Sequence, residues 1–347
     1  MPVTIDDVAR RAGVSTATVS RALRGLPHVN ERTRAAVHRT ALDLGYVPSK
    51  SASTLASGRT RTVGVVTPHI AKWYFAHAIE ALEQELRAVG YDVLLLALPP
   101  GPTSVRPVFD PEELRQRVDA VAVLTIPLTG GELDGLRRLR LPMAFVGASV
   151  AGAMSVRIDD VAVGRTATEH LLSLGHTRIG HIGGDPHEAL NFHAPVDRRT
   201  GWMAGLRGAG LSPDPGLDVP GMFTVEGGRR AMRRLLALPE PPTAVFAASD
   251  EMAFGAIAEA RAAGVDVPHQ LSVVGVDDHE HADLFALTTV GQPVEEQGRA
   301  AARMLLATLD GSTAHSNEHL LLPVSLVERR STAAPPTALP SALLRDR

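Results

Sequence analysis

The stretch T-I-D-D-V-A-R-R-A-G-V-S-T-A-T-V-S-R-A-L-R-G, residues 4–25, determines how the rest of the chain is interpreted. Its apolar side chains recur at helical spacing in two short runs, which predicts two amphipathic helices. Thr4 and Ser15 stand at the helix starts, where a side-chain oxygen accepts a hydrogen bond from a backbone N–H. Gly13 lies between the runs and permits the left-handed backbone that ends many helices. The stretch therefore predicts a helix, a tight turn and a second helix.

The outward face of the second helix is small, polar and basic. Ala17, Arg21 and Arg24 recur at helical spacing, with Ser20 beside them and Thr16 at the leading end. Such a face fits the major groove of DNA, where arginine and short polar groups contact base edges. An ordinary pair of surface helices is the alternative, and the combination of small, polar and basic residues on one face favours DNA binding.

Charge is distributed unevenly along the 347 residues. Residues 1–62 carry ten Lys and Arg against four Asp and Glu, a net charge of +6, so the remainder of the chain carries −9. A basic segment joined to an acidic body is typical of a nucleic-acid-binding module attached to a domain with another task.

Several classes of protein are disfavoured by simple features. The chain has no cysteine, which excludes disulfides and thiolate metal sites. Its N-terminus has no basic and apolar leader, and no apolar run approaches the roughly 18 residues of a membrane span. We therefore expect a soluble, cytoplasmic protein with no membrane partner.

A third helix is predicted after the first two, with Asn30 as its cap and Gly45 at its end. Residues 46–60 are rich in Ser, Ala and Thr, which is typical of a linker. Leu55 is a large apolar residue within this polar segment, and one interpretation makes it a wedge between base steps in the minor groove. Composition alone favours a plain linker over that role.

From Thr62 onward, near-continuous apolar strands alternate with helices. This pattern predicts parallel sheets covered on both faces, and its length predicts two doubly wound lobes. The run Y-D-V-L-L-L-A-L, residues 91–98, is predicted as a fully buried strand. Ligands of such folds bind beyond the carboxyl ends of the strands. The site candidates are therefore the residues that follow each predicted strand, namely His69–Phe75, Thr125, Gly147–Ser149, Asp185, Asp250 and Asp277.

The predicted organisation has four parts. An all-α helix-turn-helix head covers residues 1–46, and a hinge covers 47–61. An α/β body of two lobes covers 62–330. A Pro- and Ala-rich tail at 331–347 is predicted to be flexible.

With these elements in place, the chain resembles the lactose-repressor (LacI/GalR) family of bacterial transcriptional regulators over residues 3–330. The resemblance implies a helix-turn-helix head, a periplasmic-binding-protein-like body, a homodimer on a palindromic operator and control by a small molecule, here expected to be a sugar. The motifs that carry it are D-V-A-R-R-A-G-V-S-T-A-T-V-S-R-A-L, R-I-D-D-V-A-V-G-R-T-A-T-E-H-L-L-S-L-G-H-T-R-I-G-H-I-G-G, R-R-T-G-W, A-S-D-E-M-A-F-G-A, V-V-G-V-D-D and L-T-T-V-G-Q-P.

The resemblance places Thr16, Ala17 and Arg21 at base-reading positions, and it places Ala52 and Leu55 at hinge positions that enter the minor groove. The hinge departs from several relatives because Ser53 and Thr54 leave it without an arginine. The full set predicted to contact DNA is Thr4, Ser15, Thr16, Ala17, Thr18, Ser20, Arg21, Asn30, Thr33, Tyr46, Ala52 and Leu55.

In the body, the resemblance implies that acidic and polar residues contact the effector, although Ser249 stands where many relatives have Asn. Aromatic rings stack on the apolar face of a sugar, and Trp73, Tyr74 and Phe75 cannot all face one core from a helix start. The full set predicted to contact the effector is His69, Trp73, Tyr74, Phe75, Asp159, Arg198, Trp202, Asp250, Asp277 and Gln292.

No catalytic, metal or cofactor site is predicted. The run His279-Glu280-His281 lacks a tight metal-ligand spacing, and the chain has no Gly-rich phosphate loop. A sugar-binding transport receptor is one alternative, disfavoured by the basic head. A carbohydrate-active enzyme is another, because carboxylates that bind hydroxyls look the same in sequence as carboxylates that catalyse. A DNA-binding repressor remains the leading hypothesis.

Overall fold

The computed structural model describes residues 3–47, 58–99, 105–185, 190, 192–311 and 318–336. Contacts divide the chain into two units, Met1–Arg61 and Thr62–Arg347. We call them the head and the body and describe each by itself.

The head consists of helices α1 Ile5–Ala12, α2 Thr16–Leu23 and α3 Glu31–Leu44. The three predicted caps are confirmed, since the side chains of Thr4, Ser15 and Asn30 each accept a backbone N–H in the first turn. Gly13 and Gly45 take the left-handed backbone at the ends of α1 and α3. The apolar faces meet in a small core of Val8, Ala9, Val19, Ala22, Val37 and Ala41.

Two six-stranded sheets form the described part of the body, which confirms the predicted pair of lobes. The first sheet has the order β11-β5-β4-β3-β1-β2, and the second has the order β12-β10-β9-β8-β6-β7. Neighbours pair in parallel, except for the antiparallel edge strand β12. The strands are β1 Thr62–Thr67, β2 Asp92–Ala97, β3 Ala120–Leu124, β4 Met143–Val146, β5 Met154–Arg157, β6 Ile179–Gly183, β7 Asp218–Pro220, β8 Ala244–Ala247, β9 Ser272–Asp277, β10 Thr288–Gly291, β11 His319–Leu321 and β12 Ser325–Val327.

Eight α-helices are described in the body. The chain passes between the lobes near Ile158, Gln292 and Leu322, so each lobe is built from separate parts of the sequence. The helices are α4 Trp73–Ala88, α5 Gly130–Leu139, α6 Asp160–Ser173, α7 His193–Gly208, α8 Val225–Leu236, α9 Asp250–Ala262, α10 Ala282–Phe285 and α11 Val294–Leu309. Within the described ranges, none of the helices has the length and apolarity to cross a lipid bilayer.

Helices α6 and α7 pack with their backbones in close contact. A Cβ atom on Gly164 would lie 2.0 Å from the Arg198 carbonyl oxygen, and one on Gly201 would lie 2.2 Å from the Val161 carbonyl oxygen. Any larger residue at either position would push the helices apart, so glycine is needed here for close approach.

Two expectations about the body were wrong. Strand β2 is an edge strand, with Leu95 37% exposed, because only its β1 side is paired. An apolar run does not distinguish an edge strand from a central one. The chain is also ordered beyond residue 331: Ser331 is buried and accepts a hydrogen bond from the Thr288 amide at 2.8 Å. The predicted flexibility of residues 337–347 concerns positions outside the described residues.

Candidate functional site

The outer face of α2 has the composition that the sequence predicted. Thr16, Ala17 and Arg21 are exposed, and Ser20 is half-buried beside them. Within the part of the chain that the structure describes, no hydrogen bond or ion pair of the Arg21 guanidinium is found. A long, charged and exposed side chain on a small polar face has both reach and freedom to bind a groove edge.

Several other residues predicted to contact DNA have structural roles in the head. Thr4 forms a capping box with Asp7, Ser15 accepts the Thr18 amide at 3.2 Å, and Asn30 accepts the Thr33 amide at 2.8 Å. Their exposed oxygens cap helix starts, which is where DNA phosphates approach helix termini.

Thr18 and Thr33 supply the backbone N–H groups that Ser15 and Asn30 accept, and the last three residues of the set lie at the end of the head or in the hinge. Tyr46 is half-buried against the core of the head. The predictions for Ala52 and Leu55 fall outside the described residues.

A cavity lies between the two lobes of the body. The volume open to the centres of water molecules is about 110 Å³, and roughly 10–15 Å³ of such volume holds one water. The walls come from the carboxyl ends of strands in both sheets, where ligands of doubly wound folds bind. Six of the predicted effector contacts line it: His69, Tyr74, Phe75, Arg198, Asp277 and Gln292.

A chain of hydrogen bonds crosses from one lobe to the other along the cavity. The Tyr74 hydroxyl on α4 donates to the Gln297 side-chain oxygen at 2.9 Å. The Gln297 amide donates to Gln292 at 2.9 Å, and the Gln292 amide donates to the Asp277 carboxylate at 2.6 Å. Asp277 ends β9 of the second lobe, so these four side chains couple the position of α4 to that of β9.

Arg198 lies at the second-lobe end of this network. Its Nε donates to Asp160 at 2.8 Å, one Nη donates to the Ala248 carbonyl at 2.6 Å, and the same Nη lies 3.9 Å from the Asp277 carboxylate. Burial alone would lower the pKa of Arg198, but Asp160 and Asp277 raise it. The guanidinium therefore stays charged, and it is held between two carboxylates.

Burial also changes the protonation of two other lining residues. It raises the pKa of Asp277 to about 6, against the opposing effects of Arg198 and Gln292. It lowers the pKa of His69 to about 4, with Lys72 acting in the same direction. At neutral pH the cavity thus presents an ionised Asp277 and an uncharged His69 ring.

Thr125 is a further lining residue with an unusual backbone. It follows β3 with φ at 55°, a left-handed conformation that is rare for a β-branched residue. Its Oγ1 is buried and has no hydrogen-bond partner among the described residues. Strained backbone and unpaired polar atoms concentrate at binding sites, so the Thr125 hydroxyl is a candidate ligand contact.

Four predicted effector contacts do not line the cavity. Asp159 is exposed and caps α6 by accepting the Ala162 amide, and its neighbour Asp160 lines the cavity instead. Trp202 is buried in the second lobe, with its ring centroid 5.3 Å from that of His181.

The other two have partners outside the cavity. Asp250 is fully buried, and its carboxylate accepts the Thr289 hydroxyl at 2.7 Å and the His279 amide at 2.9 Å. Trp73 faces away from the cavity and donates its indole N–H to Glu280.

Other lining residues lie outside the predicted effector set. Lys72 and Thr125 fall within the stretches predicted to follow strands, whereas Asp160, Glu251 and Gln297 were not predicted. Their signal was weak, because polar residues in a first helical turn serve equally well as caps. The lining residues outside the predicted effector set include Lys72, Thr125, Asp160, Phe192, Pro195, Phe223, Ser249, Glu251 and Gln297.

Comparison with known proteins now accounts for both units. Residues 4–49 match the family model for bacterial regulatory proteins of the lacI family, and residues 168–332 match that for a periplasmic binding protein-like domain. The HTH-type transcriptional repressor CytR of Escherichia coli (strain K12) is 35% identical over 337 residues, which cover 96% of this chain and 97% of CytR. The chain belongs to the lacI family of bacterial regulatory proteins.

Solved structures of transcriptional regulators agree with this assignment. The lac repressor dimer bound to operator and the anti-inducer ONPF superposes with a TM-score of 0.84 at 27% identity, over 96% of this chain and 100% of that chain. A complex of the transcriptional regulator CelR with cellobiose gives a TM-score of 0.68 at 33% identity, over 95% and 99%. The predicted fold is therefore confirmed, and so is the prediction of a DNA-binding transcriptional regulator controlled by a small molecule.

Proposed function

We propose that the protein is a homodimeric repressor that binds a palindromic operator and is controlled by a sugar held between the lobes. The observation that carries the proposal is the buried Arg198, placed between Asp160 and Asp277 on the wall of the cavity. The complex of CelR with cellobiose supports a sugar effector by analogy.

The chemistry of the cavity suits a ring that carries several hydroxyl groups. Ionised Asp277 accepts bonds from hydroxyls, and Arg198 donates from a planar fork. Phe75 and Phe223 provide flat apolar walls on which the C–H face of a sugar packs. The Thr125 hydroxyl adds a short polar contact.

On DNA, two copies of the head would each read one half-site in the major groove. Arg21 is the longest side chain on the reading face, and its guanidinium matches the paired acceptors of a guanine. Thr16 and Ala17 add short contacts, and Leu55 enters the minor groove at the centre of the operator. The lac repressor dimer on its operator supports this arrangement by analogy.

The effector acts by favouring one arrangement of the two lobes, and the coupling between sites equals the difference in its affinity for the two arrangements. The hydrogen-bonded chain from Tyr74 to Asp277 joins the lobes in the arrangement seen here, so an effector that keeps or breaks this chain would favour one arrangement over the other.

We also propose that the protein is not an enzyme and that it acts in the cytoplasm, where bacterial operators lie. Asp250, a candidate catalytic carboxylate, is fully buried with both oxygens bonded inside the protein. Asp277 is held by Gln292 and faces Arg198, which suits a fixed acceptor better than a general acid or base.

A two-stage experiment tests the proposal. A thermal-shift screen of sugars and nucleosides identifies a ligand, and Asp277→Asn serves as the variant that removes the charged acceptor. Fluorescence anisotropy with a palindromic duplex selected from random sequence then measures DNA affinity with and without that ligand. A sugar that stabilises the wild type but not Asp277→Asn and that changes operator affinity supports the proposal. Turnover of a sugar by the purified protein contradicts it.

A further inference from the structure

Near the end of the described chain, residues 329–335 are bonded to the second lobe, and we call this segment the C-terminal strap. The Ser331 carbonyl accepts the Val273 amide at 2.8 Å, and the Ser331 hydroxyl accepts the Thr288 amide at 2.8 Å. These bonds tie the strap to the first residues of β9 and β10. The strap is therefore part of the folded lobe, although it lies beyond the last strand.

Two buried histidines hold the middle of the strap. His176 Nε2 is 2.9 Å from the Ala333 carbonyl oxygen, and His170 Nε2 is 3.0 Å from the Thr332 hydroxyl. His176 is 1% exposed and His170 is 9% exposed. A charge on either ring would therefore be shielded from water for as long as the strap is attached.

The hydrogen bonds of His176 fix one neutral form of its ring. Because a carbonyl oxygen only accepts, Nε2 carries the proton and donates it to Ala333. Nδ1 then keeps a lone pair, which accepts the Thr243 hydroxyl at 2.9 Å. A proton added at Nδ1 would take away that acceptor and would place a positive charge in the interior of the lobe.

The surroundings of the two rings compensate little for such a charge. Burial lowers the pKa of His176 and of His170 below the ordinary value for histidine. The Ala333 carbonyl and the exposed Glu328 favour the charged forms of His176 and His170 respectively, but burial outweighs both. The groups around His176 come from four parts of the lobe, namely Thr243 before β8, Ser272 on β9, Ala333 in the strap and His170 on α6.

The start of the strap reaches the loop that follows β9. The Arg329 guanidinium donates to Asp278 at 2.8 Å and to Asp283 at 2.5 Å. Asp278 follows Asp277, which lines the effector cavity. The strap therefore supports a loop at the edge of the cavity as well as the base of the second sheet.

We propose that the C-terminal strap is a pH-sensitive element, which protonation of His176 and His170 detaches from the second lobe. Both rings gain water when the strap leaves. Since the detached form binds protons more readily than the attached form, attachment is strongest above about pH 6.5 and weakens as the pH falls below it. Detachment also takes Arg329 away from Asp278, which frees the loop beside the cavity.

Hydrogen exchange of the full-length protein tests the proposal without DNA or effector. Exchange is followed from about pH 7.5 to about pH 5.5, across the ordinary range of histidine titration, and is corrected for the intrinsic exchange rate. Below about pH 6.5 we expect protection of the strap amides to fall by up to about tenfold per pH unit for each proton taken up. Helix α9 of the same lobe should show no matching fall. An equal fall in α9 overturns the proposal, because acid would then weaken the whole lobe, and unchanged protection of the strap overturns it too.

Variants show whether the two histidines are responsible. The double variant His170→Gln/His176→Gln has neither titrating ring, so protection of its strap should no longer depend on pH. His269→Gln, an exposed histidine of the same lobe, is the matched control and should keep the wild-type dependence. A pH dependence that persists in the double variant overturns the proposal.

Glu328→Gln is a second variant, which changes an exposed side chain and leaves both histidines in place. It removes the carboxylate that favours a charged His170, so the strap should detach at a lower pH than in the wild type. Detachment at an unchanged or higher pH would show that His170 does not titrate with the strap, and would overturn its part in the proposal.

Discussion

The head and the body of this protein each place an arginine at a candidate site, and the two arginines have opposite surroundings. Arg21 is exposed on one face of α2. Arg198 is buried, 5% exposed, between the carboxylates of Asp160 and Asp277. The first arginine belongs to a surface made by a single helix, whereas the second belongs to a network drawn from several elements.

Because of this difference, we expect substitution of Arg21 to affect binding and substitution of Arg198 to affect the stability of the fold. An exposed arginine keeps its hydration in the free protein, so its removal leaves the fold intact and affects only what it binds. A buried arginine neutralises carboxylates that are largely shielded from solvent, so its removal leaves buried charge uncompensated. The substitution at Arg21 should therefore be detected by a DNA-binding assay, and the substitution at Arg198 by a measurement of unfolding.

The largest effect is expected for Arg198→Ala. Removing one member of a buried ion-pair network destabilises by about 3–5 kcal/mol, measured by urea unfolding of the full chain. Arg207→Ala, an exposed arginine on the same helix, is the control and should change stability by less than about 0.5 kcal/mol. A loss under about 1 kcal/mol for Arg198→Ala would mean that Asp160 and Asp277 are not charged together in the folded protein.

Arg21→Ala should reverse that pattern. We expect a loss of about 1–3 kcal/mol in affinity per operator half-site, with relaxed sequence preference, and unfolding within about 0.5 kcal/mol of the wild type. Anisotropy on the operator and on an unrelated duplex measures both, because the unrelated duplex reports only phosphate contacts. Equal losses of affinity for the two duplexes would show that Arg21 contacts the DNA phosphates and not a base.

The raised pKa of Asp277 predicts a pH dependence that is confined to the body. Between about pH 4 and pH 6 the folded protein retains a proton on Asp277 that the unfolded chain has released. Stability from this group is therefore greatest at the acid end and declines by about 1.4 kcal/mol per pH unit as pH rises through that window. Asp277→Asn removes this slope, so the difference between wild-type and variant unfolding free energies should change with pH. A constant difference would refute the shift.

The smallest effect is expected for Thr4→Ala in the head. Loss of a capping hydroxyl costs about 1 kcal/mol, so amide protection in α1 should fall about fivefold in hydrogen exchange. Protection in the body serves as the internal control. Unchanged protection in α1 would show that Asp7 alone satisfies the helix start.

The same comparison explains what the sequence could and could not predict. The outer face of α2 and its cap depend on the sequence of one helix, so periodicity predicts the exposure of Thr16 and Arg21, and cap preference predicts the role of Ser15. The lining of the cavity is harder to predict, because only one of two adjacent acids faces it. Asp159 caps α6, while Asp160 accepts a hydrogen bond from Arg198. No periodicity separates two adjacent acids at a helix start.

Long-range packing decided the remaining differences. The Trp202 indole is a ring of the kind that stacks on sugars, yet it is packed inside the second lobe beside His181. Gln297, which links Tyr74 to Gln292, gives no local signal because its partners come from other elements. The contact between His77 and Glu280 could likewise not be predicted, because the two residues come from different lobes and are far apart in sequence.

The glycine contact between α6 and α7 has a consequence for binding energetics. Because Gly164 lies directly against the Arg198 backbone, the segment that carries the guanidinium has no room to shift. The conformational entropy of this donor is therefore lost when the protein folds and not when a ligand arrives. A ligand that meets a pre-organised donor keeps more of its interaction energy as affinity, so Gly164 and Gly201 would strengthen the binding of any ligand that Arg198 contacts.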